Sequence, residues 1–575
     1  MQEKMKRAAE TREEISRRFV VRSFWVFGVF VFFSFFLVVR ATYLQVLNKD
    51  FLIEQGNLRQ IRDINIAAYR GTINDRNNKP LAISIPVDTI SINPKKFNED
   101  DIKMKQLSVL LGRDHEELIK LIKNSKSKSF LYIERKVSTN ISDQIKLLNI
   151  ANLDFKREYK RSYPAGEIIS QLLGLTNIDE EGKEGVELQY DASLRGIPGV
   201  KRILKDKHNR HIENIKIIKS PKSGTDLTLG IDLRLQHIAH RALERAIIEN
   251  KAYSGSVILV DAPRGEILAI ANYPSYDNNE TFSLNPDSMR NRAIIDMYEP
   301  GSSIKPFILA RAIDSGLYDL ASLIDTSPVK IGSRTIRDTR ELGEVDLATV
   351  LMRSSNAGMS RIGLSLESDA LWEMMSDFGF GSYVTDGFPG ESRGRLHHHT
   401  EWGEIGKATM SYGYGITVTP IQLAQAYSVI ANNGLYTPLS LRKGLFNESK
   451  RVINEDTAKT LLSMLEKVVE DGTSKKAAVN GYRVGGKSGT AWKTSGAGGY
   501  SSDRYRSIFA GIAPIDDPRL VAVVFIEEPT GEFYYGGDVA APVFSEIISQ
   551  SLQLLSIPPQ GFITKPDLVA DNKND

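Results

Sequence analysis

The longest uninterrupted apolar run in the chain is "SFWVFGVFVFFSFFLVV", residues 23–39, with Arg22 before it and Arg40 after it. As a helix this run spans about 26 Å, close to the roughly 30 Å hydrocarbon core of a bilayer, and flanking arginines can extend it by snorkelling. It is long for the apolar part of a cleaved signal peptide, and no A-x-A-like site follows in "RATYLQVL", so the pattern predicts an uncleaved signal-anchor. Residues 1–22 carry Lys4, Lys6, Arg7, Arg12, Arg17, Arg18 and Arg22. By the positive-inside rule this predicts a cytoplasmic N-terminus, with everything beyond residue 40 across the membrane.

The periodicity then shortens. "YLQVLNKDFLIEQGNLRQIRDI" predicts a helix leading away from the membrane, and "RGTINDRNNKPLAISI" and "VDTISIN" alternate as strands around a turn at Asn77–Asn78. Residues 97–150 predict Lys-rich helices, with a solvated loop at "KNSKSKS" (123–129). The turn-rich "REYKRSYPAGEIISQLLGLTN" and "GVELQYDASLRGIPG" close this region. In "KSGTDLTLGIDLRLQHIAHRALERAI" (222–247) a strand-like piece leads into an amphipathic helix with Leu233, Ile238, Ala242 and Ala246 on roughly helical spacing. "SGSVILVDAPRGEILAIANYP" predicts a hairpin turning at Pro263–Gly265. Helices and strands then alternate to about residue 560 with no repeat or linker, which predicts one large α/β domain before a polar, disordered tail at 561–575.

Composition narrows the chemistry. At 575 residues and 41% hydrophobic the chain can hold three or four folding units. A formal charge of +3, from 74 basic and 71 acidic residues, gives no case for nucleic-acid binding. Cysteine is absent, which excludes disulfides, thiol catalysis and Cys-ligated zinc. Neither G-x-x-x-x-G-K-[ST] nor G-x-G-x-x-G stands between a strand and a helix. That agrees with a body outside the cytoplasm, where ATP and NAD(P)H are not maintained, and no cofactor is expected. "HHHT" at His397–His399 invites a metal reading, but adjacent histidines cannot converge on one ion and no acidic partner is read at ligand spacing, so a polar loop is predicted and no metal.

Candidate chemistry begins at "EPGSSIKPF", residues 299–307. Ser302 or Ser303 could simply cap the helix that "IKPFILARAIDSG" predicts. Alternatively, Ser302 and Lys305 lie about one turn apart on one helix face, where a neutral lysine could take the proton of a serine nucleophile. The S-x-x-K spacing alone decides nothing, since it recurs at Ser125/Lys128 and Ser440/Lys443. Downstream, however, Ser354 and Asn356 form S-x-N, and Lys487-Ser488-Gly489-Thr490 stands on a predicted strand. Each also recurs elsewhere, K-S-G-T at Lys222–Thr225 among them, where it is read as a domain-boundary turn. The order S-x-x-K, S-x-N, K-[ST]-G marks penicillin-binding proteins and class A β-lactamases. It suits a fold in which a helix start, a loop and an edge strand meet in one cleft.

With "RGTINDRNNKPLA", "RSYP", "GVELQYD", "RNRAIIDMYEPGSSIKPF", "YGYGITVTPIQLAQAYSVIANNG" and "YYGGDVAAPVF" added, the chain resembles class B penicillin-binding proteins from the anchor to about residue 555. "YGYGITVTPIQLAQAY" is more similar to the division-specific (FtsI, penicillin-binding protein 3) type than to the elongation-specific type. The resemblance implies a membrane-anchored multidomain protein with a cytoplasmic tail (1–22), a transmembrane anchor (23–39) and an elongated α+β pedestal of dimerisation type (40–225). A C-terminal α/β, serine β-lactamase-like transpeptidase domain (226–560), an antiparallel sheet flanked by helices, would follow.

The resemblance also implies roles. Ser302 would attack the penultimate D-Ala carbonyl of a peptidoglycan stem peptide, giving an acyl-enzyme and releasing D-Ala, and β-lactams would be covalent inhibitors that acylate the same serine. Lys305, kept neutral by burial and by the charge of Lys487, would be its base. Ser354 would relay a proton to the leaving amine, and Asn356 would hold Lys305 and the substrate amide. Lys487 and Thr490, on the strand with Ser488, would bind the donor carboxylate, and the backbone N–H groups of Ser302 and Thr490 would form the oxyanion hole. Gly489 would keep the strand open to a substrate lying along it. The implied partners are stem peptides, β-lactams, the inner membrane, a SEDS-family glycosyltransferase of the FtsW type and other division proteins, at the septum. A β-lactam sensor would need a signalling part on the cytoplasmic side, and a β-lactamase would need neither anchor nor pedestal. Glu391 lies about where a class A β-lactamase keeps its deacylating glutamate, but "FPGESRGRL" lacks the asparagine such a site uses, and a structural role is expected.

Overall fold

The apolar run at 23–39 lies inside one continuous helix, Gln2–Thr42, which runs on through a π-helical turn at Tyr43–Leu47. Among the described residues it is the one helix long and apolar enough to cross a membrane. The computed structural model describes residues 1–97, 102–205, 211–280, 285–445, 448–494 and 500–559, so the tail expected to be disordered at 561–575 lies outside them. The helix predicted after the anchor covers Lys49–Gln60 and stops there. "IRDINI" is instead a strand, Ile61–Ile66, antiparallel to Gly199–Lys205, which pairs in turn with His211–Lys219. Half-buried Ile64 and Ile66 alternate with exposed Asn65, a β-branched pattern that the strand accommodates better than a helix. These elements belong to one compact unit, residues 1–68 with 197–222.

The second unit holds residues 69–196 and 223–575, and the chain returns to it inside the upstream K-S-G-T, after Lys222. Its first part is built on the strand Pro80–Ile92, which pairs antiparallel with both Leu131–Ser138 and Leu153–Ser162. The region 97–150, predicted to be helical, holds helices at Lys103–Leu110, His115–Asn124 and Thr139–Leu147. Between them Leu131–Ser138 is a strand where only helix and loop were expected. Its Ile133 and Val137 enter the local core while Tyr132 and Ser138 stay exposed, and pairing with the preceding strand outweighs helix propensity.

Three of the quoted motifs meet in one buried network. Arg70 of "RGTINDRNNKPLA" donates Nε–H to Glu187 Oε2 at 2.8 Å, and Arg161 of "RSYP" donates to Glu187 Oε1 at 2.6 Å. Asp191 of "GVELQYD" takes the other arm of Arg70 at 2.6 Å. Glu187 and Arg70 are at most 2% exposed. Removing one partner would leave an uncompensated buried charge, at a cost of about 3–5 kcal/mol, so these motifs tie distant parts of the unit together.

The larger part is a five-stranded antiparallel sheet: β1 (Ser254–Asp261), β2 (Glu266–Tyr273), β3 (Gly485–Thr494), β4 (Tyr500–Ala513) and β5 (Leu520–Glu527), in spatial order β2-β1-β5-β4-β3. The predicted hairpin is β1–β2, turning through Gly265 at φ +64°. Every residue of β1 and β5 is buried, because both faces of the sheet are covered. Val257, Leu259 and Val524 face a layer containing α1 (Leu233–Glu249) and α5 (Gly536–Leu554). Ile258, Val260 and Val523 face the layer of α2 (Lys305–Asp314), α3 (Asn356–Ser365) and α4 (Pro420–Ala431). β3 pairs only with β4 and forms an edge of the sheet.

Candidate active site

Ser302 sits in a 3-10 turn, Gly301–Ile304, that runs directly into α2. Neither serine caps the helix. Ser303 is fully buried and donates its hydroxyl to Pro300 O at 2.7 Å, while Ser302 stays half-buried. The turn is pressed against β3, which explains two glycines. Gly301 has φ +53°, and a Cβ on it would lie 3.1 Å from Thr490 O. A side chain on Gly489 would meet the Pro300 carbonyl at 2.6 Å before it met any substrate, so the glycine is required by packing inside the protein.

Ser302 and Lys305 are not hydrogen-bonded to each other, although their spacing led us to expect contact. The link is Ser354, whose hydroxyl donates to Ser302 Oγ at 3.0 Å. Lys305 Nζ lies 3.1 Å from Ser354 Oγ, 2.7 Å from Ser354 O and 2.8 Å from Asn356 Oδ1. Ser354 can present both oxygens because it adopts φ +61°, a left-handed conformation that costs a non-glycine residue on the order of 1–3 kcal/mol and is held by its surroundings. Lys305 is completely buried, and its pKa lies well below the ordinary lysine value. Burial is the main cause and the charge of Lys487 adds to it, while Asp338 opposes both. A neutral lysine has two N–H donors and one lone pair. Its two N–H groups can serve the two obligate acceptors, Ser354 O and Asn356 Oδ1, and its lone pair can take the Ser354 hydroxyl proton only when that hydroxyl turns from Ser302 toward Lys305.

Lys487, on β3, is 1% exposed, and burial lowers its pKa to about 7. Its Nζ donates to Ser488 O at 2.9 Å. Ser488 turns its own hydroxyl to within 3.3 Å of Thr473 Oγ1. Thr490 is half-buried, and its Oγ1 accepts the Gly536 N–H at 3.0 Å, at the start of α5. The structure therefore brings Ser302, Lys305, Ser354 and Asn356 into one hydrogen-bonded cluster, and the Ser302 turn packs against Thr490 on the edge strand that also carries Lys487.

The other candidates lie elsewhere. Glu391 accepts from Val384 N at 2.6 Å and from Thr385 N at 3.1 Å, and also from the Thr385 hydroxyl, so its carboxylate ties down its own loop. His397 does have an acidic partner at helical spacing, contrary to the sequence reading: Glu401, four residues on, lies 3.0 Å from its Nδ1. The rings of His398 and His399 lie 4.2 Å apart, tilted by 40°, with Trp372 4.9 Å from His398.

Sequence reasoning missed the residue that holds the S-x-N segment. Asp338 accepts the N–H groups of Asn356 and Ala357 at 2.5 and 3.0 Å and the Ser355 hydroxyl, and so caps α3 from outside its own sequence neighbourhood. It also missed how "YGYGITVTPIQLAQAY" supports the turn that carries Ser302. Gly413 O accepts the Gly301 N–H at 3.2 Å, and the buried Tyr427 hydroxyl donates to Ser303 O at 3.0 Å.

Comparison with known proteins matches the transpeptidase domain of penicillin-binding proteins over residues 255–549 and the penicillin-binding protein dimerisation domain over residues 65–229. The chain is 42% identical to the probable peptidoglycan D,D-transpeptidase PbpC of Pseudomonas aeruginosa, covering 97% of this chain and 99% of that one. It is 37% identical to the peptidoglycan D,D-transpeptidase FtsI of Escherichia coli, over 98% and 96% of the two chains. Among solved structures, a peptidoglycan synthetase from Bifidobacterium adolescentis superposes with a TM-score of 0.69 at 26% identity, over 87% of this chain and 97% of that one.

Proposed function

The chain belongs to the class B penicillin-binding proteins, and from that premise we propose that it is a serine D,D-transpeptidase that cross-links the stem peptides of peptidoglycan and is acylated by β-lactams. The observation that carries the reading is the unbroken link Ser302 Oγ–Ser354 Oγ–Lys305 Nζ, at 3.0 and 3.1 Å, ending on a buried lysine whose pKa is low. Ser302 Oγ attacks the carbonyl of the penultimate D-Ala. With the Ser354 hydroxyl turned from Ser302 to Lys305, the Ser302 proton passes to Ser354 Oγ while the Ser354 proton passes to Lys305, and the ammonium so formed keeps Ser354 O and Asn356 Oδ1 as acceptors. As the C–N bond to the terminal D-Ala breaks, the Lys305 ammonium returns a proton through Ser354 Oγ to the leaving amine. An acceptor amine then attacks the acyl carbonyl, gives up its proton along the reverse path and releases Ser302. Lys487 and Thr490 hold the donor carboxylate, and the N–H groups of Ser302 and Thr490 take the oxyanion, a contribution of about 3–4 kcal/mol per donor where such donors have been removed.

The test is gel labelling of the membrane fraction with a fluorescent penicillin. The wild type should label, Ser302→Ala should not, and Ser303→Ala should still label, since Ser303 is turned into the protein. Labelling that survives in Ser302→Ala would overturn the reading.

Finer aspects are also proposed. The basic residues of 1–22 favour a cytoplasmic N-terminus and a periplasmic body, with a pedestal over 40–225 and a transpeptidase domain over 226–560. Similarity to a protein named FtsI favours septal cross-linking beside a SEDS-family glycosyltransferase. Depletion should give filaments with unfinished septa, and rod-to-sphere conversion would point instead to elongation.

A further inference from the structure

Behind the nucleophile turn, on the face of the sheet that carries Lys487 and Lys493, lies a cavity of about 270 Å³ between the end of β3–β4–β5 and the segment before Ser302. Most of its charged walls are already satisfied. Arg292 pairs with Asp287 at 2.7 Å, Arg290 with Asp296, and Lys493 with Glu527 at 2.9 Å and with Glu528 just outside the lining. Its floor is not satisfied. Tyr298 is 1% exposed and stacks on Phe525 at 4.3 Å, but its hydroxyl has no hydrogen-bond partner among the described residues. Beside it Arg506, with its side chain only 14% exposed, reaches Glu527 through one nitrogen at 3.4 Å and leaves a buried Nε–H with no partner among the described residues.

Buried donors without acceptors are uncommon in native proteins, and a guanidinium with free N–H groups is the usual seat of a carboxylate or phosphate. Burial keeps the Tyr298 phenol protonated, so it too is a donor. We propose that this cavity is an oxyanion-binding site, separate from the seat of the donor carboxylate, in which Arg506 and Tyr298 hold a carboxylate of the substrate. The choice of a stem-peptide carboxylate rests on the transpeptidase reading. Tyr298, four residues before Ser302, also exchanges backbone hydrogen bonds with Val418, so an occupant would bear directly on the segment that carries Ser302.

The experiment uses the full chain in detergent, first acylated with benzylpenicillin so that the seat at Lys487 and Thr490 is filled, and then titrated calorimetrically with glutarate and, separately, with inorganic phosphate. Saturable one-to-one binding of glutarate is expected, weakened at least about tenfold by Arg506→Met and several-fold by Tyr298→Phe, which keeps the ring stack. Binding of phosphate alone, with the same dependence on the two variants, supports the site and assigns it to a phosphate-bearing part of the substrate. Absence of saturable binding by either anion, or binding unchanged in both variants, overturns it. A chain that took up no penicillin would instead overturn the transpeptidase reading, and the same titrations on unacylated protein would still decide the cavity.

Discussion

Ser354 Oγ lies 3.0 Å from Ser302 Oγ, so the group in contact with the proposed nucleophile is a hydroxyl and not the lysine three residues along. Removing that hydroxyl should break proton transfer while leaving the nucleophile, the lysine and the carboxylate seat in place. Ser354→Ala is therefore expected to slow acylation by penicillin about 10²–10⁴-fold, the usual worth of a positioned proton-transfer group. Stopped-flow measurement of the acylation rate constant checks it. A loss below threefold would mean that Lys305 reaches Ser302 directly.

The two buried lysines should separate by substitution and by pH. Arginine stays protonated, so Lys305→Arg should lose acylation by orders of magnitude, whereas Lys487→Arg keeps a cation on the strand and should mainly raise the concentration needed for half-maximal rate. Because Lys487 has a pKa of about 7, its charge is present below that pH and lost above it. The second-order acylation rate constant should then fall as pH rises through about 7 in the wild type and stay level in Lys487→Arg. An identical alkaline limb in both proteins would remove Lys487 from carboxylate capture.

The same depression has a consequence for stability. A lysine whose folded pKa lies below its unfolded value of about 10.4 leaves the native state with fewer bound protons, so stability rises with pH between those two values. The wild type should gain in melting temperature between pH 7 and 9.5 by more than Lys487→Met, which lacks one such group. Equal pH dependence in thermal melts of the two would show that Lys487 is protonated in the fold over that whole range.

Asp338 was not legible in the sequence, and the reason is physical. A helix cap is ordinarily found within a few residues of the helix it caps, whereas this carboxylate reaches Asn356 from 18 residues away, past a short strand and the helix Leu347–Met352. The S-x-x-K, S-x-N and K-S-G-T motifs were legible because fixed local spacing survives without knowledge of the fold. The link through Ser354 was not, because it depends on a left-handed φ at a non-glycine residue. The strand at Leu131–Ser138 was missed for a related reason: its partner, Pro80–Ile92, lies about forty residues away, and the local composition is as compatible with helix. Asp338→Ala should release the S-x-N segment and withdraw the negative charge that supports the protonated form of Lys305. Acylation should fall about tenfold, and its acid limb should move to lower pH. A fall in rate with an unmoved limb would reduce Asp338 to a helix cap.

A transpeptidase must keep its acyl group from water until an acceptor amine arrives, and this chain offers water little assistance. The one glutamate placed as a β-lactamase would place its base, Glu391, has its carboxylate occupied by the backbone of Val384 and Thr385 and by the Thr385 hydroxyl. A base so engaged is not free to activate a water, and losing general-base assistance typically costs 10²–10⁴-fold. The penicilloyl adduct should persist after excess penicillin is removed, and it should persist equally in Glu391→Gln when followed by intact mass spectrometry. The substitution should show itself in the loop instead: a neutral amide accepts the Val384 and Thr385 N–H groups less strongly than a carboxylate, and a loss of about 1–2 kcal/mol is expected in denaturant unfolding. Turnover within seconds in the wild type that disappears in Glu391→Gln would make the protein a hydrolase and Glu391 its base.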